Sequence, residues 1–259
     1  MQILNHSQML QEYFGIVKKP DQLIIALAGN LNVGKSTLFN SLTGLRQHTG
    51  NWPGKTVDNA QGSFSYRDKN FLMIDLPGTY SILAHTAEEE VARDFICFGH
   101  PDVTVIVLDA TSLERNLNLA LQVMEITSRL VICVNLIDEA KKKKISIDFI
   151  TLEKELGVPV VATAARQGIG LNSLKESIYQ VAIGSRELNP TQIKYSMEVE
   201  NAVLKLLPQI EKFRFDKLFN PRWVALRLLD GDEKFIRNIT LHLNSQSRWA
   251  VTREAEIAL

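Results

Sequence analysis

The sequence predicts an α/β fold, with a doubly wound and mostly parallel sheet, followed by a C-terminal all-helical domain. Short apolar runs such as 23–29, 103–110 and 130–138 have the length and residue types of strands buried on both faces. Stretches with helical periodicity separate these runs, and strands that alternate with helices form parallel sheets. After residues 189–190, an Asn-Pro pair, the pattern changes and only helical signals follow.

The individual elements follow from this alternation. Residues 1–20 form an extension, with a short helix at 7–14 and a linker that ends in Lys-Lys-Pro. The predicted strands are 23–29, 103–110, 130–138 and 158–164, together with two runs within 61–78 that are joined by the polar turn 67–70. The predicted helices between them are 36–44, 113–126, 149–157 and 171–183. Because a short turn joins the two runs within 61–78, we expect them to form an antiparallel edge of the sheet.

Domain boundaries are predicted where the pattern changes. Residues 1–20 are the extension, 21–187 the α/β domain and 190–259 the helical domain. In the helical domain Pro221 occupies a first-turn position, ahead of a helix that Gly231 is expected to end.

Composition limits the class of function. The chain has 29 Lys and Arg and 29 Asp and Glu, so its net charge is zero and nucleic acid is not an expected partner. Cys97 and Cys133 lie in apolar runs and are predicted to be buried free thiols of a reducing compartment. The sequence shows no signal peptide and no run of 18 apolar residues, so we expect a soluble, cytoplasmic chain. The four lysines at 141–144 are predicted to form a solvated loop; the alternative is a phosphate-binding role.

Residues 29–36 match the pattern G-x-x-x-x-G-K-[ST], between a predicted strand and a predicted helix. In this setting backbone N–H groups surround the phosphates of a nucleotide, and the helix N-terminus adds positive potential. Lys35 is predicted to contact the β- and γ-phosphates, and Ser36 to bind Mg²⁺ through its hydroxyl. The predicted nucleotide contacts in this loop are Gly29, Asn30, Asn32, Val33, Gly34, Lys35, Ser36 and Thr37. The alternative, an ordinary glycine-rich turn, leaves the Gly-Lys-Ser run unexplained.

A second motif, D-L-P-G at 75–78, follows the next buried strand. Asp75 is predicted to hold Mg²⁺ through water, and the Gly78 N–H to bond the γ-phosphate. Between the two motifs lies a Gly- and Pro-rich loop, 49–56, whose Thr56 is predicted to bind Mg²⁺ only in the triphosphate state. Alternatively, Thr56 is only a β-branched residue that opens the next strand.

Base recognition is assigned to the motif N-L-I-D at 135–138. A carboxylate accepts hydrogen bonds from guanine N1–H and the 2-amino group, and adenine has neither donor, so Asp138 favours guanine. Asn135 is expected to tie this loop to the phosphate-binding loop; the alternative is that both residues only cap a helix. The run Thr163-Ala164-Ala165 is predicted to present a backbone N–H to guanine O6. The four motifs, in this order, predict a GTP-binding domain.

Longer runs of the chain resemble one family, the FeoB ferrous iron transporters of bacteria. The similar runs are GNLNVGKSTLFNSLTG (29–44), TGNWPGKTV (49–57), DLPGTYSI (75–82), the NLIDEA and GVPVVATAARQGIG runs within 135–170, and RWVALRLLDGDE (222–233). The resemblance implies a G domain at 21–187, a GDP-dissociation-inhibitor-like module at 190–259, and a membrane domain C-terminal to both that carries Fe²⁺. This chain would then lie at the cytoplasmic face of the inner membrane, with GTP, GDP and Mg²⁺ as its ligands.

The sequence departs from the family pattern at four positions of the site. Leu31 replaces a usual Pro, Lys55 a Val-type residue, Leu136 a Lys or Met, and Ala164 a Ser. Leu136 is expected to cover the base by apolar contact. We expect these departures to lower nucleotide affinity before they alter base preference.

The expected reaction is slow GTP hydrolysis by in-line attack of water. The residues predicted to support it are Lys35, Thr56, Gly78 and Asn32. Thr79 stands where many GTPases have a water-orienting glutamine, and only its backbone could hold a water. Resemblance to the potassium-activated GTPases, FeoB among them, implies that Asn32 helps to hold K⁺ as a further cofactor. Two alternatives stay open: Asn32 only stabilises the turn, or the Lys55 ammonium takes the place of the ion.

Two other classes of function compete with this interpretation. A ribosome- or tRNA-associated GTPase, the first, would need an RNA-binding module and a basic face, which the neutral composition disfavours. The second is a non-catalytic interaction module controlled by GTP and GDP. Self-association into a homo-oligomer is compatible with every reading.

Overall fold

The computed structural model describes residues 6–44, 47–83, 86–212 and 220–239. The backbone divides into two compact units, residues 6–193 and the residues from 194 onward. The first unit is α/β and contains the candidate site, and it includes residues 6–20 of the segment predicted as an N-terminal extension. Within these described ranges, no helix combines the length and the apolar character that a membrane crossing requires.

The described part of the α/β unit holds a seven-stranded sheet with the spatial order β2-β3-β4-β1-β5-β6-β7. The strands are β1 (Gln22–Gly29), β2 (Gln47–Asn51), β3 (Asp58–Tyr66), β4 (Lys69–Asp75), β5 (Val103–Asp109), β6 (Leu130–Asn135) and β7 (Val160–Ala162). The helices are α1 (His6–Phe14), α2 (Lys35–Thr43), α3 (Ala87–Phe98), α4 (Leu113–Ile126), α5 (Ile137–Lys142), α6 (Phe149–Leu156) and α7 (Leu171–Ala182), with a short 3₁₀ turn at Ala165–Gln167.

The predicted mostly parallel sheet is confirmed. Strand β1 pairs in parallel with β4 and β5, and β5, β6 and β7 continue the parallel order. Strands β3 and β4 are antiparallel, as predicted for the edge. A further strand lies outside them, because β2 pairs antiparallel to β3 with Thr49 opposite Ala60 and Asn51 opposite Asp58. The prediction of a loop at 49–56 was therefore wrong for its first three residues: long-range backbone pairing overrides the local Gly signal there.

Helix α3 had no counterpart in the sequence prediction. Its local signals are nevertheless good: the Thr86 hydroxyl caps the first turn by accepting from the Glu89 N–H at 3.2 Å. Three glutamates in that first turn, Glu88 to Glu90, complement the positive end of the helix. The buried side of α3 carries Phe95 and Ile96, which pack in the core of the unit.

The core lies between the sheet and its helices. Central strand residues such as Leu27, Met73 and Val105 are fully buried, as expected for strands covered on both faces. At Gly62 in β3 the helix α2 approaches so closely that a Cβ would lie 2.7 Å from the Thr43 side chain and 2.9 Å from Phe39. This contact holds α2, and with it the phosphate-binding loop, against the sheet.

The second unit is helical in its described residues. It contains α8 (Met197–Glu211), α9 (Pro221–Asp230) and helical residues 233–239. Pro221 begins α9 behind an Asn220 cap and Gly231 ends it with φ 69°, as the sequence indicated. Glu200 of α8 accepts two hydrogen bonds of 2.7 Å from the Arg222 guanidinium of α9, so an ion pair joins the two helices. The C-terminal end of the predicted helical domain, residues 240–259, lies outside the described residues.

Candidate nucleotide-binding site

The phosphate-binding loop connects the end of β1 to the start of α2. Asn32 and Gly34 both have left-handed backbone angles, with φ of 65° and 82°. At Gly34 a Cβ would also lie 2.5 Å from the Asn135 side-chain nitrogen, so only glycine suits this position. Asparagine tolerates the left-handed region better than most residues, which favours the turn-stabilising role of Asn32 without excluding a second one. The Asn32 side chain is exposed on the loop.

Lys35, the first residue of α2, joins the first two motifs. Its ammonium makes an ion pair with the Asp75 carboxylate and donates to the Leu76 carbonyl at 2.5 Å. Asp75 ends β4, and burial raises the pKa of its carboxyl above the ordinary value, an effect that Lys35 opposes. The next residues of the loop, Ser36 and Thr37, are exposed. Because the Lys35 ammonium is paired with Asp75, a bound phosphate group would compete with that carboxylate for the ammonium.

The D-L-P-G motif lies directly against the phosphate-binding loop. The Thr79 N–H donates to the Gly29 carbonyl at 3.2 Å. A Cβ on Gly78 would lie 2.8 Å from Leu31 Cδ2, so the Leu31 side chain covers this glycine. The Thr79 backbone was predicted to hold a water. Its N–H is not available for that water in this conformation, because it already donates to the Gly29 carbonyl.

The candidate switch loop forms a tight turn between β2 and β3. The Trp52 N–H donates to the Val57 carbonyl at 2.9 Å, and the Lys55 N–H to the Trp52 carbonyl at 3.0 Å. Thr56 is exposed on this turn, and in the described residues no hydrogen bond joins it to Ser36 or Asp75. Since β3 begins at Asp58, Thr56 does not open that strand either.

Lys55 does not lie in the phosphate-binding loop. Its ammonium makes an ion pair with Glu90 of α3. The alternative in which this ammonium replaces a bound cation is therefore not seen in this conformation. The physical reason is the acidic first turn of α3, which offers a carboxylate next to the switch loop.

Asn135 ends β6 and lies at the centre of the site, almost fully buried. Its Nδ2 donates to the Val33 carbonyl at 3.0 Å, and its Oδ1 accepts from the Thr163 hydroxyl and the Ala165 N–H, both at 3.0 Å. A helix-capping role alone does not describe these bonds, because they reach the phosphate-binding loop and the loop after β7. The neighbouring Cys133 thiol is buried, which raises its pKa to about 12 and leaves it unreactive.

Asp138 is half-buried in the first turn of α5, where its Oδ2 accepts a 2.9 Å hydrogen bond from the Gln167 side-chain amide. Sequence reasoning missed Gln167, because no motif includes it. An amide N–H that points at this carboxylate resembles the donor that guanine would present. Gln167 is exposed, so a base can displace it at modest cost.

The amides of residues 163–165 are all bonded within the protein. The Thr163 N–H donates to the Val134 carbonyl at 2.8 Å, and the Ala164 N–H to the Ile169 carbonyl at 3.1 Å. The Ala165 N–H donates to Asn135, as described above. The prediction of a free amide for guanine O6 is therefore not met in this conformation, and a base would have to replace one of these bonds.

The structure thus brings the three motif loops into one place. Ser36 and Asp75 offer a hydroxyl and a carboxylate oxygen, the ligand type that Mg²⁺ prefers. Lys35 and the left-handed turn at Asn32 and Gly34 suit a phosphate chain. Thr56, the third predicted metal ligand, is exposed on the switch loop.

Comparisons with known proteins agree with this geometry. The family profile described as ferrous iron transport protein B matches residues 23–178, and that of the FeoB cytosolic helical domain matches residues 195–257. The Fe(2+) transporter FeoB of Escherichia coli (strain K12) is 36% identical over 218 residues, which cover 82% of this chain and 27% of that protein. The Fe(2+) transporter FeoB of Methanocaldococcus jannaschii is 43% identical over 215 residues, covering 83% of this chain and 31% of that protein.

A solved structure shows the same fold over most of the chain. The cytosolic domain of the T. maritima FeoB iron transporter in a GDP form superimposes with a TM-score of 0.76 at 38% identity, covering 87% of each chain. The present chain spans only about a quarter of the length of the E. coli relative. It belongs to the FeoB family of ferrous iron transport proteins, and it corresponds to that family's N-terminal cytosolic G domain together with the helical domain that follows it.

Proposed function

We propose that this chain binds GTP and GDP with Mg²⁺, hydrolyses GTP slowly, and acts as a nucleotide-dependent switch for ferrous iron transport. The observation that carries the proposal is the pair of contacts from Lys35 to Asp75 and from Asn135 to Val33. They bring the phosphate, metal and base motifs together around one loop. Solved relatives support it further, since the T. maritima FeoB cytosolic domain has been solved in GDP and GMPPNP forms.

The proposed reaction is in-line displacement at the γ-phosphorus. The oxygen of a water attacks, the bond from the γ-phosphorus to the β–γ bridging oxygen breaks, and the products are GDP and phosphate. Lys35 would turn from Asp75 to the β- and γ-phosphates, and the Gly78 N–H would bond a γ-phosphate oxygen. Ser36, Asp75 through water and, in the triphosphate state, Thr56 would hold Mg²⁺, which would supply positive charge beside the phosphates.

Slow turnover follows from the residue types at the site. Thr79 is buried, its amide is bonded to Gly29, and its side chain is too short to orient the attacking water as a glutamine does. A monovalent cation held by the Asn32 side chain would offset this by stabilising charge on the bridging oxygen. Asn32 is exposed, and in this conformation the Lys55 ammonium pairs with Glu90 instead of taking the place of such an ion.

Guanine would replace Gln167 at the Asp138 carboxylate. Leu136, at the left-handed position ahead of α5, would cover the base by apolar contact. Opening the loop at 163–169 costs the bond between Ala164 and Ile169, so we expect lower affinity than a preformed base site would give.

The transport function would belong to a membrane domain C-terminal to this segment. The chain covers only 27% of the E. coli relative, which leaves ample length for such a domain. The G domain would then work at the cytoplasmic face of the inner membrane. Neutral net charge supports a protein partner, this membrane domain or a second copy of the chain, over a nucleic acid.

Single-turnover hydrolysis with saturating Mg²⁺ and K⁺ tests the enzymatic part of the proposal. We expect slow conversion of bound GTP to GDP, and loss of that conversion in Lys35→Ala. Conversion no faster than that of free GTP would instead make the chain a non-catalytic module controlled by nucleotide. Tight binding of RNA at low salt would favour the ribosome-associated class.

A further inference from the structure

The segment ahead of β1 ends against the candidate switch loop. Helix α1 closes in a turn in which the Gly15 N–H donates to the Gln11 carbonyl at 3.0 Å and the Ile16 N–H to the Leu10 carbonyl at 3.1 Å. Leu10 and Ile16 are fully buried, and Phe14 is 8% exposed. The segment is therefore packed on the α/β unit rather than attached to it loosely.

An aromatic cluster joins this segment to the switch loop and to α3. Phe14 lies edge-on to Trp52 and to Phe95, with ring centroids 6.1 Å and 5.2 Å away. Trp52 and Phe95 also contact each other at 5.5 Å, and Trp52 is only 3% exposed. A Cβ on Gly15 would lie 3.3 Å from the Pro53 ring, so the end of α1 also lies close to the next residue of the loop. Edge-to-face aromatic pairs add a specific geometry to the burial.

The same loop is also held to α3 by the ion pair of Lys55 with Glu90. Thr56 follows these two anchors and is exposed on the tight turn from Trp52 to Val57. In the described residues no hydrogen bond joins Thr56 to Ser36 or Asp75, so we expect the loop to move when Thr56 contacts a metal ion there. A movement that displaces Trp52 breaks the aromatic cluster or carries α1 with it.

We propose that residues 6–16 are a positioning element that holds the switch loop in its present conformation, and that Phe14 is the positioning residue. This inference rests on the proposed role of Thr56 in the triphosphate state. Because GDP needs no contact with Thr56, the packing of α1 opposes GTP binding selectively. A ligand can shift this equilibrium only by its differential affinity for the two loop positions, so weakening the cluster raises GTP affinity relative to GDP affinity.

The test compares dissociation constants for GMPPNP and GDP, with Mg²⁺, in the full chain and in its Phe14→Ala variant. We expect the ratio of the GMPPNP constant to the GDP constant to fall about fivefold in Phe14→Ala. Tyr13→Ala is the matched control, because Tyr13 is a 53% exposed aromatic residue on the same helix, and its ratio should stay at the wild-type value. Fluorescence of Trp52, taken as the difference from a Trp52→Phe chain, should show a more exposed ring in Phe14→Ala.

A ratio in Phe14→Ala that stays at the wild-type value, or moves in favour of GDP, overturns the proposal. Phe14→Leu keeps an apolar side chain and removes only the ring, so it serves as the test if Phe14→Ala fails to fold. Thr56→Ala separates this inference from the function on which it rests: it should spare GDP binding and weaken GMPPNP binding. If Thr56→Ala changes neither constant, the switch itself is wrong. If it changes the ratio and the Phe14 variants do not, only the positioning role is wrong.

Discussion

The side-chain amide of Asn135 donates a 3.0 Å hydrogen bond to the carbonyl of Val33, a residue 102 positions earlier in the chain. The same side chain accepts from Thr163 and Ala165 through its oxygen. One buried amide thus connects the segments that follow β1, β6 and β7. These segments lie apart in sequence, but all of them leave the carboxyl ends of parallel strands on the same side of the sheet. Ligands bind at this edge in open α/β sheets.

Asn135→Ala should therefore lower both stability and nucleotide affinity. The change leaves the Val33 carbonyl and the Ala165 N–H without their partner, which costs about 2–3 kcal/mol of unfolding free energy. Urea denaturation measures this loss, and titration with GDP measures the affinity. Asn116→Ala is the control, because Asn116 is also a buried, hydrogen-bonded asparagine but lies in α4. Wild-type GDP affinity in Asn135→Ala would contradict the connecting role.

Asp138→Asn should weaken GTP binding by about 100-fold, because a carboxylate that accepts two hydrogen bonds is lost. Binding of xanthosine nucleotides should improve, since xanthine carries an acceptor where guanine carries its 2-amino group. Competition titrations with the two nucleotides measure both effects. Glu139→Gln is the matched control: Glu139 is the adjacent acid and pairs with Lys142 on the helix surface. Unchanged GTP affinity in Asp138→Asn would show that Asp138 does not recognise the base.

GTP hydrolysis should be faster in K⁺ than in Na⁺ at equal ionic strength, by about tenfold, or about 1.4 kcal/mol of barrier. Asn32→Ala should erase the difference and leave GDP affinity nearly intact. Because Lys55 pairs with Glu90, Lys55→Val should keep the wild-type dependence on K⁺.

Two other outcomes of the same rate measurements are informative. Equal rates in both salts for the wild type, with a potassium dependence in Lys55→Val, would mean that Lys55 fills the cation site in the triphosphate state. Equal rates in both salts for both proteins would rule out the cation site.

The ion pair between Glu200 and Arg222 predicts a pH dependence of stability in the helical unit. Hydrogen bonds from Arg222, and one from the Tyr195 N–H, lower the pKa of the Glu200 carboxyl from 4.5 to about 2. Because the pKa of Glu200 is lower in the folded state than in the unfolded state, its carboxylate stabilises the fold at pH values above the unfolded-state pKa. This stabilisation is lost as the pH falls toward the folded-state pKa. The gap in melting temperature between the wild type and Glu200→Gln should thus be constant above pH 4.5 and close toward pH 2. A gap that stays constant down to pH 2 would contradict the role of this ion pair.

Local sequence carried most of what could be predicted about the site. The glycines and Asn32 of the phosphate-binding loop specify left-handed backbone angles, and the buried strands β1, β4 and β6 appear as apolar runs that end in the motif residues. Because parallel strands end at one edge of the sheet, the order of the motifs was enough to predict that they meet. Strand β2 was not predictable in this way, since its formation depends on pairing with the neighbouring strand β3 and not on the β propensity of its own residues.

The sequence by itself therefore determined the fold class, the family and the identities of the motif residues, because each of these depends on a short pattern with a specific local geometry. Only the tertiary structure decided which long side chains lie beside the motifs. Gln167 at Asp138, Glu90 at Lys55, and Phe14 at Trp52 have no fixed spacing in the sequence. Their contacts arise where helices and loops pack against the finished sheet, and a contact between segments that are distant in sequence leaves no local pattern to recognise.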